Sequence, residues 1–447
     1  MTGLLLSCKS EKSNDTTLET PDNKIKLMVL EPGHFHAALV QKSMYPDVDS
    51  MVHVYAADGP EFKAYEEKIL DYNSQAESPT AWKLETHLSD QALSQMISEK
   101  PGNVVVLAGN NANKTEYILE SIKAGLSVYS DKPMAINQAD YELLKQAFDA
   151  AGKNGLLLYD IMTERFEITS MLQKSLAANK DLFGSLVEGS PEKPAVTKES
   201  VHYFFKEVSG KPLVRPGWFY DVTQEGEGIV DVTTHLVDLI FWACFPDQAI
   251  QISDLADISG KKWATTVNKE QYLRSTKLDS FPAYLSGVLS ADKNSINVDA
   301  NGEILFKVKG HWAKASVIWD FEAPPGSKDT HYSEMNGTKA SLIIAQGQAE
   351  SFIPQLYVVT SNKAALDEAL KSLTATYGDL ASEPAGENKY KITIPEKWRN
   401  GHEAHFAQVT ENFIKYYKEG NMPAWEVPNM LAKYYVTTQA SAVATRK

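Results

Sequence analysis

Two short stretches carry side chains whose types and spacing suit chemistry on a polar small molecule. In "SVYSDKPMAIN", Lys132 stands within Asp131-Lys132-Pro133, directly after a short apolar run and ahead of a helical pattern. A lysine at the carboxyl end of a strand reaches into the ligand crevice and can stabilise a developing alkoxide. In "GIVDVTTHLVDLIFW", Asp231, His235 and Asp238 are spaced by four and then three residues, which on a helix puts all three on one face. Taken alone, a solvated helix face explains that triplet equally well. A third stretch, "KIKLMVLEPGHFHAAL", runs from an apolar strand into a tight loop. A dinucleotide-binding loop has glycines at the three positions held here by Glu31, Gly33 and His36. Gly33 would let the backbone approach a pyrophosphate, and the following helix would aim its N-terminus at that anion. An ordinary strand-to-helix turn fits the same residues. Glu31 would repel such an anion unless a protonated His34 or His36 intervened. His34 and His36 also form an H-x-H pair of the kind that opens some metal sites. The later strand ends supply Asn110, Asn111 and Asp131 but no histidine, so no metal site is expected.

These residues need a scaffold that brings strand ends together. From Lys24 to Asp160, strand-like runs ("VHVYAAD", "NVVVLAG", "LSVYS", "LLLYD") alternate with helical ones ("TEYILESIKAG", "NQADYELLKQAFDAAGKNG"). That alternation predicts a parallel, doubly wound sheet with ligands at the carboxyl ends of its strands. Asp58, at the end of the second strand, is placed to accept ribose hydroxyls, which favours NAD over NADP. After about Arg165 the texture changes to runs such as "ASVIWDFEA" and "ASLIIAQG" between long polar, Gly/Pro-containing stretches, and two helical segments close the chain. The expected architecture is therefore α/β. A Rossmann-like, doubly wound parallel sheet spans 24–160, and a C-terminal α+β domain with a large, mainly antiparallel sheet spans 161–447. Residues 188–200 and the region around 255–300 read as loop insertions.

At 447 residues, with 43% hydrophobic and 23% charged residues, the chain suits about two globular domains with sizeable cores. A net charge of -14 argues against nucleic acid as a partner, since that recognition rests on basic patches. No apolar run reaches the ~20 residues that span a bilayer. Cys244, in "LIFWACFP", reads as a core residue. Leu5-Leu6-Ser7-Cys8 resembles the lipobox of bacterial lipoproteins, with "KSEKSNDTTLETPDNK" as a tether. Residues 1–23 are thus expected to be a lipoprotein-like signal and tether. The protein would be held in the periplasm or at the outer membrane only by a lipid anchor at Cys8; without that anchor it would be cytoplasmic.

The residues around Lys132 resemble the glucose–fructose oxidoreductase / inositol dehydrogenase (Gfo/Idh/MocA) family, whose members carry E-K-P where this chain has D-K-P. "VVVLAGNNANKTEYILESIKAGLSVYSDKPMA" is similar to that family's third-strand-to-EKP segment over its whole length. Gly109, Asn110 and Asn111 stand where the family's T-P-N loop contacts the cofactor, and Lys114 replaces its usual histidine. "GIVDVTTHLVDLIFW" resembles the family's D-x-x-x-H-x-x-D segment, and "RPGWFYDVTQEGEG" its tryptophan-containing, glycine-rich lead-in. The resemblance covers nearly everything from Lys24 to Lys447. It implies an oxidoreductase using NAD, with NADP as the alternative, on a hydroxyl of a sugar, cyclitol or glycoside. In the implied hydride transfer His235 is the general base, Asp231 orients the substrate hydroxyl, and Lys132 holds the substrate oxygen and the nicotinamide ribose. The implied cofactor set is Gly33, His34, Asp58, Gly109, Asn110, Asn111, Asp131 and Lys132. Arg165 matches an arginine near the crevice, with an interdomain salt bridge as the alternative. Trp218 and Tyr220 would stack on a sugar ring or pack in the core. Two other readings stay open, an NAD-recycling glycosidase or lyase and a non-enzymatic carbohydrate-binding lipoprotein with a decayed nucleotide site. So does assembly into a homo-oligomer.

Overall fold

A computed structural model describes residues 24–208 and 211–446. Cys8 and the expected signal and tether lie outside the described residues. Six strands form the first sheet: β1 (Leu27–Leu30), β2 (Met51–Ala56), β3 (Lys83–Leu88), β4 (Val104–Leu107), β5 (Ser127–Ser130) and β6 (Leu158–Asp160). All pair in parallel, in the order β3-β2-β1-β4-β5-β6. Runs such as "LMVL" and "VVVL" are buried along their whole length, as parallel strands covered on both faces must be. Between the strands lie α1 (His36–Leu39), α2 (Pro60–Ser74), α3 (Ala92–Glu99), α4 (Asn111–Lys123) and α5 (Gln138–Asn154). The strand order reverses between β1 and β4, which opens a crevice at their carboxyl ends.

The second sheet has ten strands and is mostly antiparallel. Its inner strand β7 (Val196–Phe205) runs parallel to His311–Glu322 and antiparallel to Thr330–Asn336. Two helices, α6 (Ile168–Ala177) and α7 (Thr233–Cys244), pack Leu172, Leu176, Leu236 and Ile240 into one core with Ile304, Phe306 and Leu342 of the sheet. Two segments read as insertions prove to be sheet. Leu255–Asn268 and Ser295–Val308 are long paired strands. In the first of them only Gly260 and Val267 are buried, so no hydrophobic alternation marked it. Within β7, Lys198 is wholly buried and donates to Gln173 Oε1 at 3.1 Å and Ser333 Oγ at 2.8 Å, which hid an inward position behind a charge. Cys244 is partly buried, its thiol pushed up to about 12 by burial. No helix among the described residues is long and apolar enough to cross a membrane.

The last helix, Glu426–Val443, joins the two cores. Met430 and Tyr434 enter the core of the parallel sheet, whereas Ala432, Val436 and Ala440 on its opposite side enter the other. At this seam lies a buried set of charges. Asp238 on α7 accepts from Arg165 Nε and Nη2 at 2.6 and 2.7 Å and from Lys433 Nζ at 3.0 Å. Lys433 also donates to Asp160 at 2.6 Å, and Arg165 Nη1 to both oxygens of Glu426 at 2.9 and 3.0 Å.

Removing one member of such a set leaves an uncompensated buried charge, at a cost of about 3–5 kcal/mol. Lys433→Met, similar in length, is therefore expected to lower the thermal unfolding midpoint strongly. Asp160→Asn, which keeps a polar partner for Tyr434, should lower it less. Calorimetry of both variants checks the ranking, and an unchanged midpoint for Lys433→Met would remove the set from the frame of the fold.

Candidate active site

The loop after β1 shows what the missing glycines cost. Glu31 has φ +48°, in the left-handed region that glycine enters freely and other residues enter at a penalty of roughly 1–2 kcal/mol. Its carbonyl lies so near the end of β4 that a Cβ on Gly109 would stand 2.1 Å from it; glycine is required there. The Gly33 N–H donates to Glu31 O at 2.7 Å and the His34 N–H to Ala108 O at 2.9 Å. A Cβ on Gly33 would lie 3.2 Å from the Trp218 ring. Over this loop runs a cavity of about 230 Å³, lined by Gly33, Glu61, Gly109, Asn110, Lys114 and Trp218 among others. Its shape is that of a groove left free of side chains by Gly33 and Gly109. Glu31 also lines it, its carboxyl raised above 4.5 by burial and by Glu61 and Asp90 nearby, although a hydrogen bond from the Ala57 backbone opposes the shift.

Several expected cofactor residues are placed otherwise. Asp58 is exposed, 3.1 Å from Lys63, and does not line the cavity; the chain turns outward after β2 and presents Glu61 instead. Asn110 lines the cavity, caps α4 by accepting from the Ala112 N–H at 3.0 Å, and donates to Gln224 at 2.8 Å. Asn111 is buried and donates to Glu225 O at 2.7 Å and Glu225 Oε2 at 3.1 Å, so it holds the second domain's loop and does not line the cavity. His34 and His36 turn away from Glu31. Their Nδ1 atoms lie 3.3 and 2.9 Å from Asp131 Oδ2. Burial lowers both imidazoles below 6.5, His36 well below. They are thus neutral, and the expectation that a protonated histidine screens Glu31 fails. The three residues bring one ligand atom each to within 4.8 Å of one another, a grouping that the H-x-H pair and Asp131 had raised in the sequence without a metal site being expected.

The groups expected to react do converge. Lys132 follows β5 and forms an ion pair with Asp231, both nearly buried. Burial opposes the Lys132 charge, but the Asp231 and Asp131 carboxylates outweigh it, and its pKa is raised. Lys114 fixes the Asp131-Lys132 turn from beneath, donating to Asp131 O at 3.2 Å and Lys132 O at 3.5 Å. Asp231 lies in the turn just before α7 and His235 in the first turn of that helix. Gly228 brings the turn so close to the sheet that a Cβ would meet Ala300 O at 1.7 Å. His235 Nδ1 is buried without a hydrogen-bond partner. Burial and the neighbouring Lys132 charge push its pKa well below 6.5, which keeps the imidazole neutral. Asp238, the third member of the triplet, belongs to the seam with Arg165 and Lys433 instead.

Glu225 was not singled out in the sequence, where it is one acid in a polar, glycine-rich run. It is buried beside Asp231, and desolvation together with the Asp231 charge raises its pKa well above 4.5. Glu225 and Asp231 open onto a narrow recess walled by Phe204, Phe219 and Trp319. The Lys132 ammonium is thus paired with the Asp231 carboxylate, Glu225 beside them has a raised pKa, and His235 lies within the field of Lys132. Environments that push neighbouring titratable groups apart are what acid–base chemistry requires. Glu164, next to Arg165, carries a carboxyl pushed up to about 7 by burial and by Glu167 and Asp329, in the field of Lys206 and Lys132. Two expected substrate contacts lie elsewhere. Arg165 is committed to Asp238 and Glu426, so the interdomain salt bridge is what the structure contains. Tyr220 is buried, stacked on Phe204 and hydrogen-bonded to Ser275 Oγ at 2.6 Å. Trp218 covers Gly33 at the cavity.

The family described as "Putative oxidoreductase C terminal domain" matches residues 172–445. A crystal structure described as a "putative oxidoreductase" from Parabacteroides merdae is 47% identical, covering 94% of this chain and 97% of that one, with a TM-score of 0.92. More distant structures share the fold. A levoglucosan dehydrogenase in complex with NADH and L-sorbose is 12% identical over 94% of this chain and 97% of that one, TM-score 0.59. A 3-ketoreductase from Actinomadura kijaniata in complex with NADP is 12% identical over 95% and 99%, TM-score 0.56. No curated protein matches the chain.

Glu225→Gln copies the neutral carboxyl and tests its state. In the unfolded chain Glu225 ionises near 4.5, in the fold only at higher pH. Wild-type stability should therefore fall as pH rises through that interval, by about 1.4 kcal/mol per pH unit. The variant should match the wild type near pH 4 and exceed it at pH 8 in thermal unfolding. Parallel curves would mean that Glu225 is ionised in the fold.

Proposed function

The chain belongs to this oxidoreductase family, of the Gfo/Idh/MocA type, and we propose that it is an NAD(P)-dependent dehydrogenase acting on a hydroxyl of a sugar, cyclitol or glycoside. The observation that carries the reading is the Lys132–Asp231 ion pair beside neutral His235, at the carboxyl end of β5. Gly33, Gly109, Asn110 and Lys114 would hold the dinucleotide along the cavity. Glu31 and Glu61 in its lining favour NAD over a cofactor with an added phosphate. Bound nicotinamide would supply the hydride acceptor. His235, uncharged, accepts the hydroxyl proton. The Lys132 ammonium stabilises negative charge as it develops on the substrate oxygen, and Asp231 holds that ammonium in place.

Lys132→Ala and His235→Ala are each expected to lower NADH formation roughly 10²–10⁴-fold on a substrate drawn from a sugar and cyclitol panel. Near-normal turnover in either variant removes that residue from the mechanism. The raised pKa of Glu225 favours a second reading, in which it donates a proton to a leaving group and the cofactor is recycled. Steady NADH release argues for the dehydrogenase; sugar cleavage without net NADH argues for the glycosidase or lyase.

Glu31 should set the affinity for the dinucleotide. Its ionised carboxylate repels a pyrophosphate, and its raised pKa removes that charge as pH falls from 8 toward the acid range. Glu31→Gly is therefore expected to bind NAD about tenfold more tightly at pH 8, with the gap narrowing as pH is lowered. Equal calorimetric affinities across that range would mean that Glu31 points away from the phosphates. We also propose that the protein is anchored by lipid at Cys8, outside the cytoplasm. Cys8→Ala should then release it from the membrane fraction of a bacterial host, and a soluble wild type would end that proposal.

A further inference from the structure

Away from the cleft, β2 and β3 gather side chains that the proposed reaction does not use. His53 of β2 stands opposite Glu85 of β3, and His87 follows two residues later, so all three project from one face. His53 Nδ1 lies 3.4 Å from His87 Nε2 and 3.8 Å from Glu85 Oε1, and His87 Nε2 lies 3.6 Å from the same Glu85 oxygen. The three atoms form a nearly equilateral triangle. Hydrogen bonding accounts for one side only: the two rings lie within hydrogen-bond distance of each other at 3.4 Å, whereas the carboxylate oxygen stands beyond reach of both. Nitrogen and oxygen ligands bound at ~2.1 Å around a tetrahedral ion are separated by about 3.4 Å, which is the scale of this triangle.

The far side of His87 is built as well. Its Nδ1 lies 3.2 Å from Glu99 Oε2, and Glu99 in turn accepts from the Tyr55 hydroxyl at 2.7 Å and from Gln95 at 2.9 Å. The Tyr55 ring stacks on His87 at 4.3 Å and 9°. With Nδ1–H directed at Glu99, Nε2 presents its lone pair to the triangle, as in a carboxylate–histidine–metal arrangement.

We propose that His53, Glu85 and His87 bind a divalent transition-metal ion, zinc by the chemistry of its ligands, with Glu99 and Tyr55 as positioning residues. The Glu85 side chain is half exposed while the two rings are mostly buried, so the fourth coordination position opens to water. β3 is the edge strand of its sheet, paired only with β2. An ion here ties that edge to β2 and, through Glu99, to α3. None of these residues lines the nucleotide cavity, so metal binding and turnover are separable. The other candidate group, His34, His36 and Asp131, is less suited. Both of its nitrogens approach a single oxygen at 2.9 and 3.3 Å, as donors to a carboxylate would. The Lys114 and Lys132 charges lie close by.

The test is calorimetric titration of the chelator-treated full chain with Zn²⁺, repeated with Co²⁺ for its tetrahedral absorption bands. One saturable equivalent and a higher unfolding midpoint with metal are expected. His53→Ala, His87→Ala and the surface change Glu85→Gln should each abolish saturable binding. Glu99→Gln should weaken binding about 10–100-fold. Glu85→Gln leaves the buried rings in place and serves if a histidine variant does not fold. Absence of saturable binding, or an equivalent that survives these changes and is lost in His36→Ala, overturns the proposal.

Discussion

The carboxylate of Asp238, shared between Arg165 and Lys433, is the constraint on which the rest of the molecule depends. Arg165 follows β6, Asp238 sits on α7, and Lys433 and Glu426 come from the last helix, so the set joins the parallel sheet to the second domain. Burial opposes ionisation of Asp238, but the two cations hold its pKa well below the usual carboxylate range. Buried ion pairs add little over a hydrophobic filling, yet each member is costly to leave unpaired. The set therefore acts by exclusion: a different seating of α7 against the sheet would strand charges in the interior. His235 lies one turn before Asp238 on α7, and Asp231 just ahead of it. Fixing the helix at Asp238 fixes both residues against Lys132.

The cleft uses the same pairing logic but leaves it incomplete. At the seam every charged group has a hydrogen-bonded partner of opposite sign. In the cleft Lys132 takes Asp231, while burial raises the pKa of Glu225 and lowers that of His235. Buried polar atoms without partners, rare in proteins, gather here. His34 Nδ1, Asn111 Oδ1, Asp131 Oδ1 and His235 Nδ1 are among them. A frame whose charged groups are all hydrogen-bonded supports a site that leaves some of its polar atoms without partners.

Much of this was legible in the sequence where chemistry and pattern coincide. Strand–helix alternation up to Asp160 announces the parallel sheet, and the D-K-P turn and D-x-x-x-H-x-x-D segment bring Lys132, Asp231 and His235 together. Partners remote in sequence were not legible. Nothing near Arg165 says that it meets Glu426 across 261 residues, and nothing near Asp238 separates it from the two residues it follows. The strand Leu255–Asn268 hid because it buries almost no side chains. Division at residue 160 also misses that Phe406, Val409 and Phe413, near the chain's end, complete the core of the first sheet. Asp58 misled because a residue's place at a strand end does not say which way the following turn carries its side chain.

The cavity over the loop after β1 and the recess beside Asp231 are lined by different residues but meet through one segment. The segment after β4 lines the cavity through Gly109 and Asn110 and grips the second domain through its other side. Asn110 holds Gln224, the Ala112 N–H donates to Gln224 O at 3.0 Å, and Asn111 holds both the backbone and the carboxyl of Glu225. A shift of α4's first turn therefore moves Glu225, whose raised pKa depends on its burial and on the nearby Asp231 charge. Trp218, from the same second-domain segment, reaches back to cover Gly33. The two domains thus meet through an exchange of contacts, in which the first domain positions the second domain's acid and the second covers the first domain's phosphate loop.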